Sequence, residues 1–203
     1  MMKLTDRLDD VIEYKGREIR LGLYFDVVLR AFELLKDEYF TEVEKIDILL
    51  QMFVENPESL AGLNISEKNA LVNIIFDQFI ADGSIRGSNE KPPFDFEKDA
   101  EYIYASFMYD YGIDLFEVQG KLHWKKFKAL LAGLSDESKL MKVIGYRTME
   151  IPPPNKYNRK ERQRLIELKR FYSLDKESQS VEELDAQLDA FAATIDTMLK
   201  KER

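Results

Sequence analysis

The stretch KLHWKKFKALLAGL, residues 121–134, holds the only histidine and the only tryptophan of the 203-residue chain, together with four lysines. At about 100° per residue, Trp124, Phe127, Leu130, Leu131 and Leu134 gather within about a third of the circle. Lys121, Lys125 and Lys128 lie opposite, and His123 falls inside the apolar arc or at its edge. This segregation is the pattern of a helix that buries one face. A nucleic-acid patch instead interleaves aromatic rings with cations on one surface. Trp124 and Phe127 are therefore read as core or interface anchors, and the lysines as a solvated face. As a general base His123 has no serine, cysteine or carboxylate at a spacing that makes a dyad.

The helical period extends through most of the chain. Phe25, Val28, Leu29, Phe32 and Leu35 form one stripe. Thr41 and Glu44 form a capping-box pattern ahead of Ile46, Leu49, Leu50 and Phe53, and Asn56-Pro57 ends that helix. ISEKNALVNIIFDQFIADG (65–83) reads as a third helix with Ser66 at its N-cap and Gly83 past its end. The Gly-, Asn- and Pro-punctuated run 83–94 is a loop. Asp95 then caps an aromatic helix that Gly112 stops, and Ser135 caps another. Tyr102, Tyr104, Phe107, Tyr109 and Tyr111 make the aromatic helix apolar on more than one side. That pattern suits a central core helix, with or without a partner surface. Only residues 11–21 break the helical rule. There, Ile19 and Leu21 alternate with Glu18 and Arg20 after Lys15-Gly16, the signature of a short β-hairpin. Two strands are marginal alone, so the hairpin must lean on the helical segments after it.

The expected fold class is mainly α. Residues 1–151 form a helical core domain with an N-terminal hairpin, 152–180 a Pro-rich and basic linker or helix, and 181–203 an amphipathic C-terminal helix.

Composition narrows the chemistry. The chain has no cysteine, which excludes disulfides, zinc–thiolate sites and thiol catalysis. One histidine excludes a multi-histidine metal site. A net charge of −8 repels nucleic acid and anionic lipid overall. Acidic residues interrupt the N-terminus where a signal peptide needs an apolar run, and no window is long and apolar enough to span a membrane. Asp95, Glu97 and Asp99 alternate, but the glycine and distal glutamate of a calcium loop are missing. With no phosphate-binding glycine loop or nucleophile elbow, no catalytic, metal or cofactor site is expected.

Two segments point outward. Between 156 and 170 seven cations, Arg159 and Arg162 among them, face two glutamates, and Leu165, Ile166, Leu168 and Phe171 read as a helix edge. An intramolecular or protein contact, with the acidic helix 181–199 as an available partner, or a nucleic-acid contact fits this run. Beyond it, Val181, Leu184, Leu188, Phe191, Ile195 and Met198 are spaced 3, 4, 3, 4, 3, a heptad seam. At about 20 residues such a helix is marginal alone. It either docks on its own core or serves as a partner or self-association helix.

The run FDFEKDAEYIYASFMYDYGIDLFEVQGKLHWKKFKALLAGL (94–134) resembles a family of small proteins encoded in the tail gene clusters of long-tailed phages and prophages of Gram-positive bacteria. So do VIEYKGREIRL, LRAFELLKDEYFTEVEKIDILLQMF and LMKVIGYRTMEIPPPNKYNRKERQRLIELKRFYSL, so that the resemblance covers about residues 3–174. It implies a non-enzymatic, mostly helical tail assembly chaperone acting in the host cytoplasm. Such a protein coats the tape-measure protein, helps recruit tail-tube protein, and self-associates as a homo-oligomer or spiral without membrane or cofactor. The family brings no catalytic motif. A structural tail connector or completion protein of the virion, and a nucleic-acid-binding regulator using 156–170, are the alternatives. The interface candidates are Trp124, Phe127, Arg159, Arg162, Leu184, Leu188, Phe191, Ile195 and Met198.

Overall fold

In the computed structural model, which describes residue 8, residues 10–80 and residues 93–174, the chain begins with a two-stranded antiparallel hairpin. Strand β1 is Asp10–Tyr14 and β2 is Arg17–Leu21, with Ile12 opposite Ile19. Lys15 and Gly16 take φ of 53° and 72°, the paired left-handed conformation of a tight hairpin turn. Seven α-helices come after it among the described residues: α1 Phe25–Lys36, α2 Glu42–Phe53, α3 Ile65–Ile75, α4 Ala100–Tyr111, α5 Trp124–Ala132, α6 Lys139–Thr148 and α7 Arg159–Tyr172. The fold is thus mainly α with a short hairpin, as the periodicities predict. The acidic seam 181–199 and the loop over 83–92 lie outside the described residues.

The chain divides into two compact units. The first takes its described residues from 8–80 and 111–133. Its hairpin leans on the end of α2. Leu21 bridges Val54, Gly22 N donates to the Phe53 carbonyl at 2.8 Å, and Glu55 N donates to that of Arg20 at 2.9 Å. Asn56 then clamps β2 with its side-chain amide, accepting from Arg20 N and donating to the Glu18 carbonyl, each at 2.8 Å. A Cβ at Gly22 would stand 3.0 Å from the Glu55 carboxylate and 3.2 Å from the Tyr24 ring, so a larger residue there must push these side chains aside.

The core of this unit is mostly aliphatic, and a cluster of aromatic rings runs through it. Phe25 of α1 stacks on Phe127 of α5 at 4.9 Å, and Trp124 stacks on Phe127 at 5.6 Å. Phe32 meets Trp124 edge-on at 6.0 Å, and Phe53 meets Phe76 edge-on at 5.9 Å. Each such pair contributes about 0.5–1.5 kcal/mol beyond the area it buries. Thr41 and Glu44 make the predicted capping box on α2. On α3 the cap differs from expectation. The Asn64 side chain, not Ser66, accepts from Glu67 N, and the Glu67 carboxylate accepts in turn from Asn64 N. The box needs its acid three residues on, and Glu67 stands three after Asn64 but one after Ser66. Helix α3 continues through a π-helical turn, Phe76–Ile80.

The second unit takes its described residues from 93–110 and 134–174. Here Asp95 caps a turn rather than α4 itself: its carboxylate accepts from Glu97 N and Lys98 N, and the regular helix begins at Ala100. Gly112, at φ 63°, stops α4 as expected. Ile103, Ser106 and Phe107 of α4 are buried, whereas Tyr109 is 70% exposed, so the aromatic helix is core on one side and open on another. The cap of α6 is Ser138, not Ser135; Ser135 instead donates through N and Oγ to Asp110, each at 2.7 Å. Arg147 of α6 grips Asp99 with two bonds of 2.7 Å and also donates to the Tyr172 carbonyl at the end of α7. Asp99 is 1% exposed, so its partner is obligatory.

Candidate interaction surfaces

The segment 121–134 becomes helix α5 only from Trp124, because His123 is its N-cap. The imidazole Nδ1 accepts from Lys125 N at 3.0 Å, which leaves Nε2 to donate to Asp10 Oδ2 at 2.5 Å. Backbone bonds fix this corner: Phe25 N donates to the Leu122 carbonyl and Trp124 N to that of Leu23. His123 therefore does have a carboxylate partner, on strand β1, 113 residues away. Nothing local in the sequence signals a pair so distant. Its physical result is a satisfied buried cap.

The lysines of α5 also depart from a uniformly solvated face. Lys125 donates to Asp10 Oδ1 at 3.0 Å and lies 5.2 Å from the Phe79 ring centroid. Lys128 donates to the Ile80 carbonyl at 3.1 Å and stands over Trp124. Their stems lie along apolar surface while the ammonium groups find oxygen. Burial alone would raise the Asp10 carboxyl. The bonds from His123 and Lys125 and the ammonium charge outweigh it and hold that carboxyl below its ordinary value.

Of the interface candidates, Trp124 and Phe127 are 2% and 0% exposed and belong to the core. Arg162 is buried at 7%, while Arg159 is exposed. Leu184, Leu188, Phe191, Ile195 and Met198 lie outside the described residues. The alternating acids are occupied: Asp95 by backbone amides and Asp99 by Arg147. Among the described residues no group of three or more metal-binding side chains clusters, and no helix is long and apolar enough to cross a membrane.

Among the described residues, one open surface on each unit stands out. The first is a groove of about 600 Å³ between α2 and α3, lined also by Leu35 of α1. Ile46, Leu49, Val72 and Phe76 supply its apolar wall, and Leu35 and Ile65 at its edges are each 43% exposed. Lys45 is buried beside it with its ammonium drawn to the Leu35 carbonyl and Glu42. The second is the outer face of α7. Arg159, Lys160, Arg164 and Arg170 are exposed there, and so are Tyr157 at 97% and Phe171 at 76%. Sequence periodicity places Phe171 at a helix edge. Its exposure is not legible from spacing, because Ile166, which is buried, and Leu165 and Leu168, which are half-buried, follow the same apolar spacing.

The family described as "Bacteriophage Gp15 protein" matches residues 4–174, most of the chain and all of its described residues. The chain belongs to the bacteriophage Gp15 protein family. It is a phage protein, and the match spans both units, from the hairpin to the end of α7. Neither the curated proteins nor the solved structures compared with it give a match. The Gp15 region stops at 174, so the acidic seam lies beyond it.

Proposed function

We propose that this Gp15-family chain is a tail assembly chaperone, which coats the tape-measure protein in the cytoplasm of a Gram-positive host and helps bring tail-tube subunits to it. The observation that carries the reading is the family match over residues 4–174. The tail-cluster resemblance of 94–134 supports the finer role. The work is done by binding rather than by bond-making chemistry.

The mechanism is masking. A tape-measure protein is a very long helix, and apolar faces of that length aggregate when bare. The seam Val181, Leu184, Leu188, Phe191, Ile195 and Met198 has the spacing to lie along such a helix as a coiled-coil partner. A single contact of this length is weak, because an amphipathic helix of about 20 residues is marginal by itself. Many linked copies multiply it by raising the effective concentration of each next arm. Tube subunits then displace the coat one copy at a time.

Co-expression with the tape-measure protein, followed by purification through a tag on the latter, tests the reading. Several copies per tape-measure chain are expected, with none in finished particles. Recovery of the protein in purified virions would instead support the connector reading.

A further inference from the structure

The C-terminal end of α7 carries a platform of rings and cations built wholly within the second unit. Tyr172 stacks on Tyr146 of α6 at 5.2 Å, and meets Phe171 and Tyr102 of α4 edge-on at 4.9 and 6.1 Å. Phe171 is 76% exposed, and the three tyrosines are half-buried. Lys139 of α6 lies over the Tyr102 and Tyr172 rings, 5.3 and 5.0 Å from their centroids, and donates to the Tyr172 phenol oxygen at 3.1 Å. Lys98 donates to the carbonyl of Leu174, two residues past Tyr172, at 3.1 Å. On α7 itself Lys160 and Arg164 precede Phe171 along one stripe of the helix, at spacings of four and seven residues. Lys98, Lys139, Lys160 and Arg164 are exposed, and among the described residues none of them has a carboxylate partner. Rings edged by cations that lack counter-ions suit an apolar helix face flanked by carboxylates.

That chemistry follows directly in the same chain. Residues 181–199 carry five carboxylates and no lysine or arginine, whereas α7 carries six cations and two glutamates. Eight residues, 173–180, separate Tyr172 from Val181, a connection of the length that joins antiparallel helices. A tether so short holds the segment at an effective concentration on the order of millimolar beside its own platform, well above what a second copy supplies.

We propose that in the free protein residues 181–199 fold back as a helix antiparallel to α7 and dock on this platform, with the apolar seam against Phe171 and the tyrosine rings and the carboxylates against Lys139 and Arg164. At equal rise per residue, Asp189 then stands level with Arg164, and Glu182, Glu183 and Asp185 with the turn that carries Phe171 and Tyr172. Docked in this way the seam is withheld, and a tape-measure helix must displace it. The docking stands on the platform alone; this regulatory consequence rests on the coating reading. Stacked rings among cations also suit a single-stranded nucleic acid. The net charge of −8 and the tethered acidic segment favour the chain's own helix.

Amide hydrogen exchange of the full chain, read by mass spectrometry on peptides from 181–199, tests the docking. A helix of about 20 residues is marginal when free, so docking should slow its exchange by at least about tenfold. The slowing should be independent of protein concentration and should weaken as salt rises. Lys139→Glu with Arg164→Glu, both at exposed positions, should abolish it, while protection of α4 and α6 in the same run shows that the unit is folded. Asp185→Lys with Asp189→Lys should abolish it as well. The two pairs combined should restore it, because the opposed charges are exchanged. An unprotected segment in the wild type, protection that survives the platform reversal, or a combined variant without recovery would each overturn the docking. So would protection lost on dilution, which assigns the segment to a second copy, or a single-stranded oligonucleotide held by the wild-type platform while the segment exchanges freely. Under the coating reading, the platform variant should also bind a tape-measure fragment about tenfold more tightly, since its seam is no longer withheld. Equal binding by both forms would show that docking does not withhold the seam. A fragment ignored by both forms removes the coating reading and leaves the docking standing. An unprotected wild-type seam that still binds the fragment does the reverse.

Discussion

Asp10 and His123, at the start of β1 and the cap of α5, meet at 2.5 Å across 113 residues of sequence. Lys125 closes the other carboxylate oxygen at 3.0 Å. The three residues tie the hairpin to the helix that carries Trp124 and Phe127, so the sole histidine acts as a structural cap.

Replacing Asp10 tests that role. Asp10→Asn should destabilise the first unit by about 2 kcal/mol at pH 7, since His123 and Lys125 lose a buried charged acceptor. Urea unfolding followed through Trp124 fluorescence reads this unit directly. The carboxyl is depressed below its ordinary value of 3.8, so its stabilising contribution is complete above that pH and is lost as pH falls through the lower folded value. The wild type should therefore lose stability below about pH 4 more steeply than Asp10→Asn. Parallel pH profiles would show that the pair contributes nothing.

Arg147 serves the second unit in a comparable way. Its guanidinium spans both oxygens of Asp99, which a lysine ammonium cannot do. Arg147→Lys should cost about 1–2 kcal/mol, and Arg147→Ala about 3–5 kcal/mol, because it strands a buried carboxylate. Amide hydrogen exchange in α6 and α7 measures the loss, with protection falling in both helices together. Unchanged exchange in Arg147→Ala would contradict the assignment.

The caps separate two readings of one stretch. Asn64→Ala should destabilise α3 by about 1 kcal/mol, and Ser66→Ala by a few tenths at most. Thermal melts of the two variants decide between them, and equal losses would return Ser66 to the capping role.

Phe127 is the ring on which Phe25 and Trp124 both stack. Phe127→Leu keeps most of the volume and should cost about 1–2 kcal/mol, against about 3–5 kcal/mol for Phe127→Ala. A surface anchor would give similar small losses for both, together with weakened partner binding.

Helical stripes, the Thr41–Glu44 box, the Lys15-Gly16 turn and the Gly112 stop depend on neighbours within a few residues, so local spacing in the sequence carries them. The Asn64–Glu67 box carries the same signal, but Ser66 is an equally good capping residue type and only the distance to Glu67 separates the two. Asp10–His123 and Asp99–Arg147 join residues far apart in the chain, and no local pattern encodes them. The same holds for the open surfaces. Periodicity shows that α2, α3 and α7 each have an apolar side. Only packing shows that Leu35 and Ile65 border an open groove, that Arg162 turns inward, and that Phe171 is left outside.

The coating role is tested most directly by light scattering of the full chain mixed with a tape-measure fragment, beside the chain truncated after Ser173. The account predicts a complex holding several copies per fragment with the full chain, and loss of that complex on truncation. A truncated chain that coats the fragment as well as the full one, or a full chain that leaves the fragment bare, would contradict it.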